Sequence, residues 1–306
     1  MKRNKKPKIL IIGGTGFLGY HFAKLCLKNK YYVVSISRKK PKKIRNLNKI
    51  KYVYVDLTNK KKLFKKINEF KDIKHIVNFG GEVEHKKIKE TFASHYTGVK
   101  NISEFFINKK IEKFIQIGTS LEYGDSKSPQ KESSKIKPSS NYSRAKALSS
   151  EHLLKLFRKK KFPVTIVRPY QIYGPKQDLN RFLPILITSC LKNKKFKCSE
   201  GIQSRDFLYI DDFTRLILKI IKKKNMNGKI FNAGFGKPIK IKDIILKVLK
   251  KIKRGTPIYG KVPLRTDENM ITYPDISNSY NLLKWMPKIN FDKGLSSTIK
   301  FYKKKK

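Results

Sequence analysis

The sequence predicts an α/β fold with a doubly wound parallel sheet and a smaller C-terminal region, on three observations. Short, uniformly apolar segments alternate with helix-patterned ones through the first half of the chain. A glycine-rich turn follows the first of these segments. After Arg168-Pro169 the alternation gives way to a looser stretch richer in proline and glycine. Strands that are apolar on both faces belong to a parallel sheet covered by helices on both sides.

Taken in order, Lys8–Ile12 reads as a short buried strand and 16–28 as a helix. Tyr32–Ser37 and 51–55 are the next strands, followed by a Lys-rich helix over 60–70. A strand over 75–78, a helix over 91–108 and a strand over Lys113–Ile117 come next. A helix covers 148–159 and a sixth strand 164–167. These place a dinucleotide-type domain at 1–168, with strands at 207–210 and 229–232 expected to return to it from the region 206–235. The remainder, 169–306, is expected to be mainly a substrate-binding region, with an amphipathic helix at Ile241–Ile252. There are no repeats, and the tail 303–306 is expected to fray.

Composition narrows the function classes. A chain of 306 residues with 39% hydrophobic content is globular. No apolar run approaches the ~18 residues of a membrane span. The four apolar residues at 9–12 run straight into glycines and do not make a signal peptide, so a cytoplasmic protein is expected. Cys26, Cys190 and Cys198 are odd in number and lack metal-ligand spacing, so reduced cysteines and no metal are expected. The net charge of +51 raises the possibility of a nucleic-acid or anion-binding protein. The lysines, however, are spread along the whole chain and interleave with no aromatic run, so no specific nucleic-acid partner is expected.

The segment Gly13-Gly14-Thr15-Gly16-Phe17-Leu18-Gly19 spaces glycines as G-x-x-G-x-x-G between a strand and a helix. One glycine allows the tight turn, one admits a pyrophosphate to the backbone, and one allows close helix–sheet packing. The helix N-terminus then offers its free N–H groups to the anion. This is the context that marks a dinucleotide loop of the Rossmann type. The second strand ends in Ser37-Arg38 with no acidic residue, which favours NADP over NAD through a 2′-phosphate held by Ser37 and Arg38. Asp56, with Leu57, ends the third strand and either contacts the adenine or caps a helix. Gly80, in Asn78-Phe79-Gly80-Gly81, leaves room beside the cofactor.

Tyr142 and Lys146 lie four apart, on one face of a helix. An ammonium beside a phenol stabilises the phenolate and makes a usable acid/base at neutral pH. The strand 113–117 delivers Thr119 at its C-terminal end, where open α/β sheets bind ligands. Thr119 there can hydrogen-bond the oxygen whose proton Tyr142 moves.

These motifs resemble the NAD-dependent epimerase/dehydratase family, the extended short-chain dehydrogenases/reductases. The resemblance is carried by Gly13–Gly19, by Thr119-x-x-x-Tyr123-Gly124 and by Tyr142-x-x-x-Lys146. It continues through Arg168-Pro169-x-x-x-Tyr173-Gly174-Pro175 and Arg205-Asp206-Phe207-x-Tyr209-x-Asp211-Asp212. It implies a nucleotide-sugar substrate, with Thr119, Tyr142 and Lys146 catalytic and Gln171, Arg205 and Arg265 on the substrate's phosphates. A homodimer and a role in polysaccharide biosynthesis are implied in the same way. His95 stands where the family often has asparagine and is expected to be a structural or polar substitute.

The related 4,6-dehydratases carry Asp-Glu after the active-site threonine, whereas this chain has Ser120-Leu121, and leucine moves no proton. Glu122, one place further along, is expected to point to the strand's other face. Hydride transfer at sugar C4 remains. A 4-keto-reductase is favoured by the missing acid after the second strand, and a 4-epimerase with retained NAD is the alternative.

Overall fold

The structure, a computed structural model, describes residues 6–70, 72–82, 88–264 and 268–304. In chain order the elements begin β1 (Lys8–Ile12), α1 (Phe17–Lys28), β2 (Tyr32–Ser37), β3 (Ile50–Tyr54), α2 (Lys60–Asn68) and β4 (Ile73–Asn78). Then come α3 (Ile88–Phe92), α4 (Gly98–Phe106), β5 (Lys113–Ile117), α5 (Asn141–Lys160), β6 (Val164–Pro169), β7 (Gln171–Tyr173) and α6 (Phe182–Leu191). β8 (Lys195–Lys197), β9 (Ser204–Tyr209), α7 (Ile210–Lys222), β10 (Ile230–Ala233), β11 (Pro238–Lys240) and α8 (Ile241–Ile252) follow. The chain closes with β12 (Thr256–Ile258), β13 (Ile271–Thr272), α9 (Ser277–Leu283) and α10 (Phe291–Lys303).

The chain divides into two units, one of residues 1–124, 135–169 and 214–231, the other of 125–134, 170–213 and 232–306. The first is built on a seven-stranded sheet in the order β10-β6-β5-β4-β1-β2-β3. Every pairing from β3 to β6 is parallel. At β10 the backbone bonds Ile166 N to Lys229 O and Tyr170 N to Ala233 O advance together along both strands, as parallel pairing requires. The chain winds from β1 outward to β3, then crosses to β4 on the other side of β1 and winds outward again. The carboxyl ends of β1 and β4 therefore flank the point where the winding reverses, which is where such sheets bind ligands. Leu10, Val34, Ile76, Phe114 and Ile166 of the strands bury against Val99, Ile102 and Leu153 of the helices. Their removal from water is the main force holding the layers together.

The second unit carries a smaller sheet, β11-β9-β13 with β7 also on β9, and the short parallel pair β12-β8. Tyr173, Phe207, Tyr209 and Phe291 pack edge to face or tilted around it, with ring centroids 5.3–6.1 Å apart. The Asp206 carboxylate accepts from the backbone N–H groups of Phe235, Gly236 and Lys237 at 2.6–3.2 Å, tying down the turn before β11.

Two expectations about elements change. The strand around 207–210 pairs with β7, β11 and β13 in the small sheet, and only β10 joins the large one. The helix expected over 91–108 is broken: α3 passes through a π-turn over Ala93–Thr97 before α4 begins. The π-turn is where His95 is buried, its ring against Gly81. A Cβ on Gly81 would overlap that ring, and its φ of +143° suits glycine.

Candidate active site

At the reversal point the glycine turn is shaped for a close-approaching anion. Gly13 has a φ of +75°, and a Cβ there would stand 3.0 Å from the Phe79–Gly80 backbone at the end of β4. Gly16 caps α1 without a side chain, so no capping side chain meets the first N–H groups of Phe17 and Leu18. These groups, at the positive end of the α1 dipole, fit a pyrophosphate. Gly19 packs so closely on the turn that a Cβ would overlap the Gly13 carbonyl oxygen.

Around the turn, Thr15 N donates to Ser37 Oγ at 3.4 Å, and the Ser37 hydroxyl donates to Ile36 O at 2.8 Å. Leu57 lies against Gly80, where a Cβ would meet its Cδ1 at 3.4 Å. The Asp56 carboxylate accepts from Thr58 N and Oγ1, both at 2.8 Å, so it caps the turn leading to α2. Arg38 extends from the end of β2 to Glu82, its Nη2 2.6 Å from the Glu82 carboxylate. Glu82 is itself anchored, its N–H donating to Ser94 Oγ at 3.0 Å.

The end of β5 brings the hydride-transfer candidates together. α5 starts at a Ser140 cap whose hydroxyl accepts from Ser143 N at 3.2 Å, so Tyr142 sits in the first turn and Lys146 one turn on. Lys146 is buried, and its ammonium donates to Ile117 O at 2.7 Å, the last carbonyl of β5. Burial pushes its pKa down to about 8, and the charge of Glu122 opposes that shift. Tyr142 is half-buried, with the His95 ring edge-on at 5.0 Å. His95 Nε2 lies 3.1 Å from Glu82 O, and Ser149 Oγ donates to the His95 carbonyl.

Thr119 is extended (φ −160°) and opens a 3-10 turn over Ser120–Tyr123. Its hydroxyl accepts from Leu121 N at 3.3 Å, and its N–H donates to Glu122 Oε1 at 2.9 Å. This is a capping box, Thr-x-x-Glu. The expectation that Glu122 points to the strand's other face therefore fails, because strand alternation does not continue into a turn. Glu122 is wholly buried, its Oε2 2.9 Å from Arg168 Nε on β6. Arg168 lies over the Tyr123 ring at 4.6 Å. Leu121, at the position of the dehydratases' glutamate, is 45% exposed.

In the second unit, Gln171 is exposed at the start of β7 and registers with Phe207. Arg205 is ion-paired with Glu268 and donates Nη1 to Ser204 O at 2.7 Å. Arg265 lies outside the described residues. Sequence reasoning missed Glu82, Glu122, Arg168 and Glu268. Only Glu122 carried a local signal, the Thr-x-x-Glu box. The others act through partners distant in sequence. Among the described residues there is no cluster of three or more His, Cys, Asp or Glu able to hold a metal. No described helix is long and apolar enough to cross a membrane.

The model of the NAD dependent epimerase/dehydratase family matches residues 9–234. The chain belongs to that family. It is an enzyme of the extended short-chain dehydrogenase/reductase type, with the Rossmann-type sheet of that group. The family chain is 25% identical to a dTDP-D-glucose 4,6-dehydratase of Homo sapiens, over 97% of this chain and 90% of that one. It is 28% identical to a UDP-glucuronate 4-epimerase of Thermodesulfobacterium geofontis, covering 96% and 95%. The structure of a UDP-glucuronic acid 4-epimerase of Bacillus cereus, in complex with UDP-glucuronic acid and NAD, superposes with a TM-score of 0.88. The identity is 27%, over 98% of this chain and 100% of that one.

Proposed function

We propose that this enzyme transfers hydride at C4 of a nucleotide-sugar, using NAD, and returns it to give the C4 epimer. The observation that carries the reading is the geometry at the end of β5. Tyr142 and Lys146 share a face of α5, the Lys146 ammonium is bonded to Ile117 O, and Thr119 follows two residues later. Tyr142 exchanges the proton of the sugar C4 hydroxyl, Lys146 stabilises its phenolate, and the Thr119 hydroxyl orients the same oxygen. Bound at the Gly13–Gly19 turn, NAD supplies the hydride acceptor. Gly13, Thr15, Gly16, Phe17, Leu18, Gly19, Asp56, Leu57 and Gly80 are the residues proposed to hold it. Gln171, Arg205 and Arg265 are the proposed contacts of the substrate phosphates.

NAD is preferred to NADP because Arg38, the group suited to a 2′-phosphate, is already neutralised by Glu82. Elimination chemistry is disfavoured, since Leu121 moves no proton and the Glu122 carboxylate is engaged by Thr119 N and Arg168. A second reading, a 4-keto-reductase using NADPH, is favoured by the absence of an acid in Ser37-Arg38 at the end of β2.

Incubation with UDP-glucose, UDP-glucuronic acid and nucleotide-4-keto-sugars, with NAD or NADPH, separates the two. Isomerised sugar without net change in absorbance supports the epimerase. Stoichiometric loss of NADPH absorbance selects the reductase and overturns the epimerase.

A further inference from the structure

We propose that Glu122 is a positioning residue for this reaction: with Arg168 it forms a buried charged brace that sets the Thr119 backbone and supplies the counter-charge of the Lys146 ammonium. The inference rests on the roles given above to Thr119, Tyr142 and Lys146. One oxygen of Glu122 takes the Thr119 N–H at 2.9 Å, the other takes Arg168 Nε at 2.9 Å, and the carboxylate is fully buried. A capping box alone is served as well by glutamine, which offers the same acceptor without charge. Burying an ionised pair carries a large desolvation cost, and an apolar pair of similar volume is often as stable. The charge therefore has a use beyond the cap.

Space is made for it. A Cβ on Gly118 would overlap Glu122 Oε1 and press on Arg168 Cγ at 3.3 Å. The Lys146 ammonium meets Ile117 O, and Glu122 Oε1 lies against Gly118, the next residue, while His95 from the π-turn stands edge-on to the Tyr142 ring. Glu122 is the acidic group among these residues. Lys146 donates to the neutral carbonyl of Ile117, which satisfies the hydrogen bond but offsets little of the cost of burying the charge. The phenolate of Tyr142 gains from Lys146 only while the lysine keeps its proton. Burial drives that proton off and Glu122 holds it on.

The test is a titration of 13Cε-lysine-labelled full-length protein saturated with NAD. The resonance that disappears in Lys146→Met is assigned to Lys146. Glu122→Gln strands Arg168 and risks unfolding, so the deciding variant is Glu122→Gln/Arg168→Met, its fold checked by circular dichroism. A lower Lys146 midpoint than in the parent, with reduced turnover of UDP-glucuronic acid as probe, is expected. An unchanged midpoint and unchanged turnover in the folded double variant overturn the proposal. If that variant does not fold, Glu122→Asp decides, since it keeps the charge but shortens the reach to Thr119. A lower kcat with KM and the Lys146 midpoint held is expected, and an unchanged kcat overturns it. Full turnover by Tyr142→Phe would instead refute the underlying hydride-transfer reading, and the lysine titration stays readable without any substrate.

Discussion

In the proposed reaction Tyr142 carries the proton step, and a free phenol is a poor base at neutral pH. Tyr142→Phe is expected to lower kcat by roughly 10²–10⁴-fold while leaving KM near the parent value, by steady-state kinetics. In the same proposed reaction Lys146 sets the pH range. Its folded pKa of about 8 lies below its unfolded value of ~10.4, so between the two the unfolded chain binds more protons. The contribution of Lys146 to stability therefore rises with pH across that window, measured by urea unfolding against Lys146→Met. Activity moves the other way. The ammonium is lost as pH rises through about 8, so kcat/KM falls on that alkaline limb, and a flat profile from ~7 to ~9 would separate Lys146 from catalysis. At the proposed cofactor site, Glu82→Gln removes the ion pair of the Arg38 guanidinium. The NADP-to-NAD affinity ratio is expected to rise roughly tenfold, about 1.4 kcal/mol, in fluorescence titrations. An unchanged ratio would mean that Arg38 does not face the 2′ position.

The 3-10 turn after β5 and the π-turn before α4 are two elements that a period-based reading of the sequence does not resolve. Both are single turns, too short for any hydrophobic period to show, and both are set by partners far along the chain. In the first, Arg168 meets Glu122 across 46 residues, and in the second the His95 ring seats on Gly81. Gly118 is the small residue on which the first arrangement depends. Gly118→Ala is expected to lose about 1–3 kcal/mol of unfolding free energy, the usual scale for forcing a methyl into a filled core. Denaturant unfolding measures it, and a neutral result would mean that the carboxylate does not lie against Gly118. The longer elements were legible because each carries its own evidence. The apolar runs of β1, β2 and β5 are continuous, and the Gly13–Gly19 spacing marks both the end of β1 and the start of α1.

At the scale of the molecule the dominant fact is a net charge of +51. Like charges this numerous repel one another in the compact state, and the described ion pairs are few and mostly exposed. Added salt screens that repulsion, the Debye length falling from about 30 Å at 0.01 M to about 8 Å at 0.15 M. Tm is accordingly expected to rise over that range of sodium chloride, by differential scanning calorimetry. A Tm that falls would mean that specific ion pairs outweigh the general repulsion.

The amino-acid sequence alone determined the alternating strands and helices, the glycine turn and the spacing of Tyr142 and Lys146, because each is a local pattern within a few turns of chain. Tertiary structure alone decided what surrounds them. It turned Glu122 inward to Arg168, paired Arg38 with Glu82, placed His95 against Tyr142 and sent β9 to the small sheet. Each of these is a contact between residues remote in sequence. Whether a charge is buried and what neutralises it depends on which segments the fold brings together.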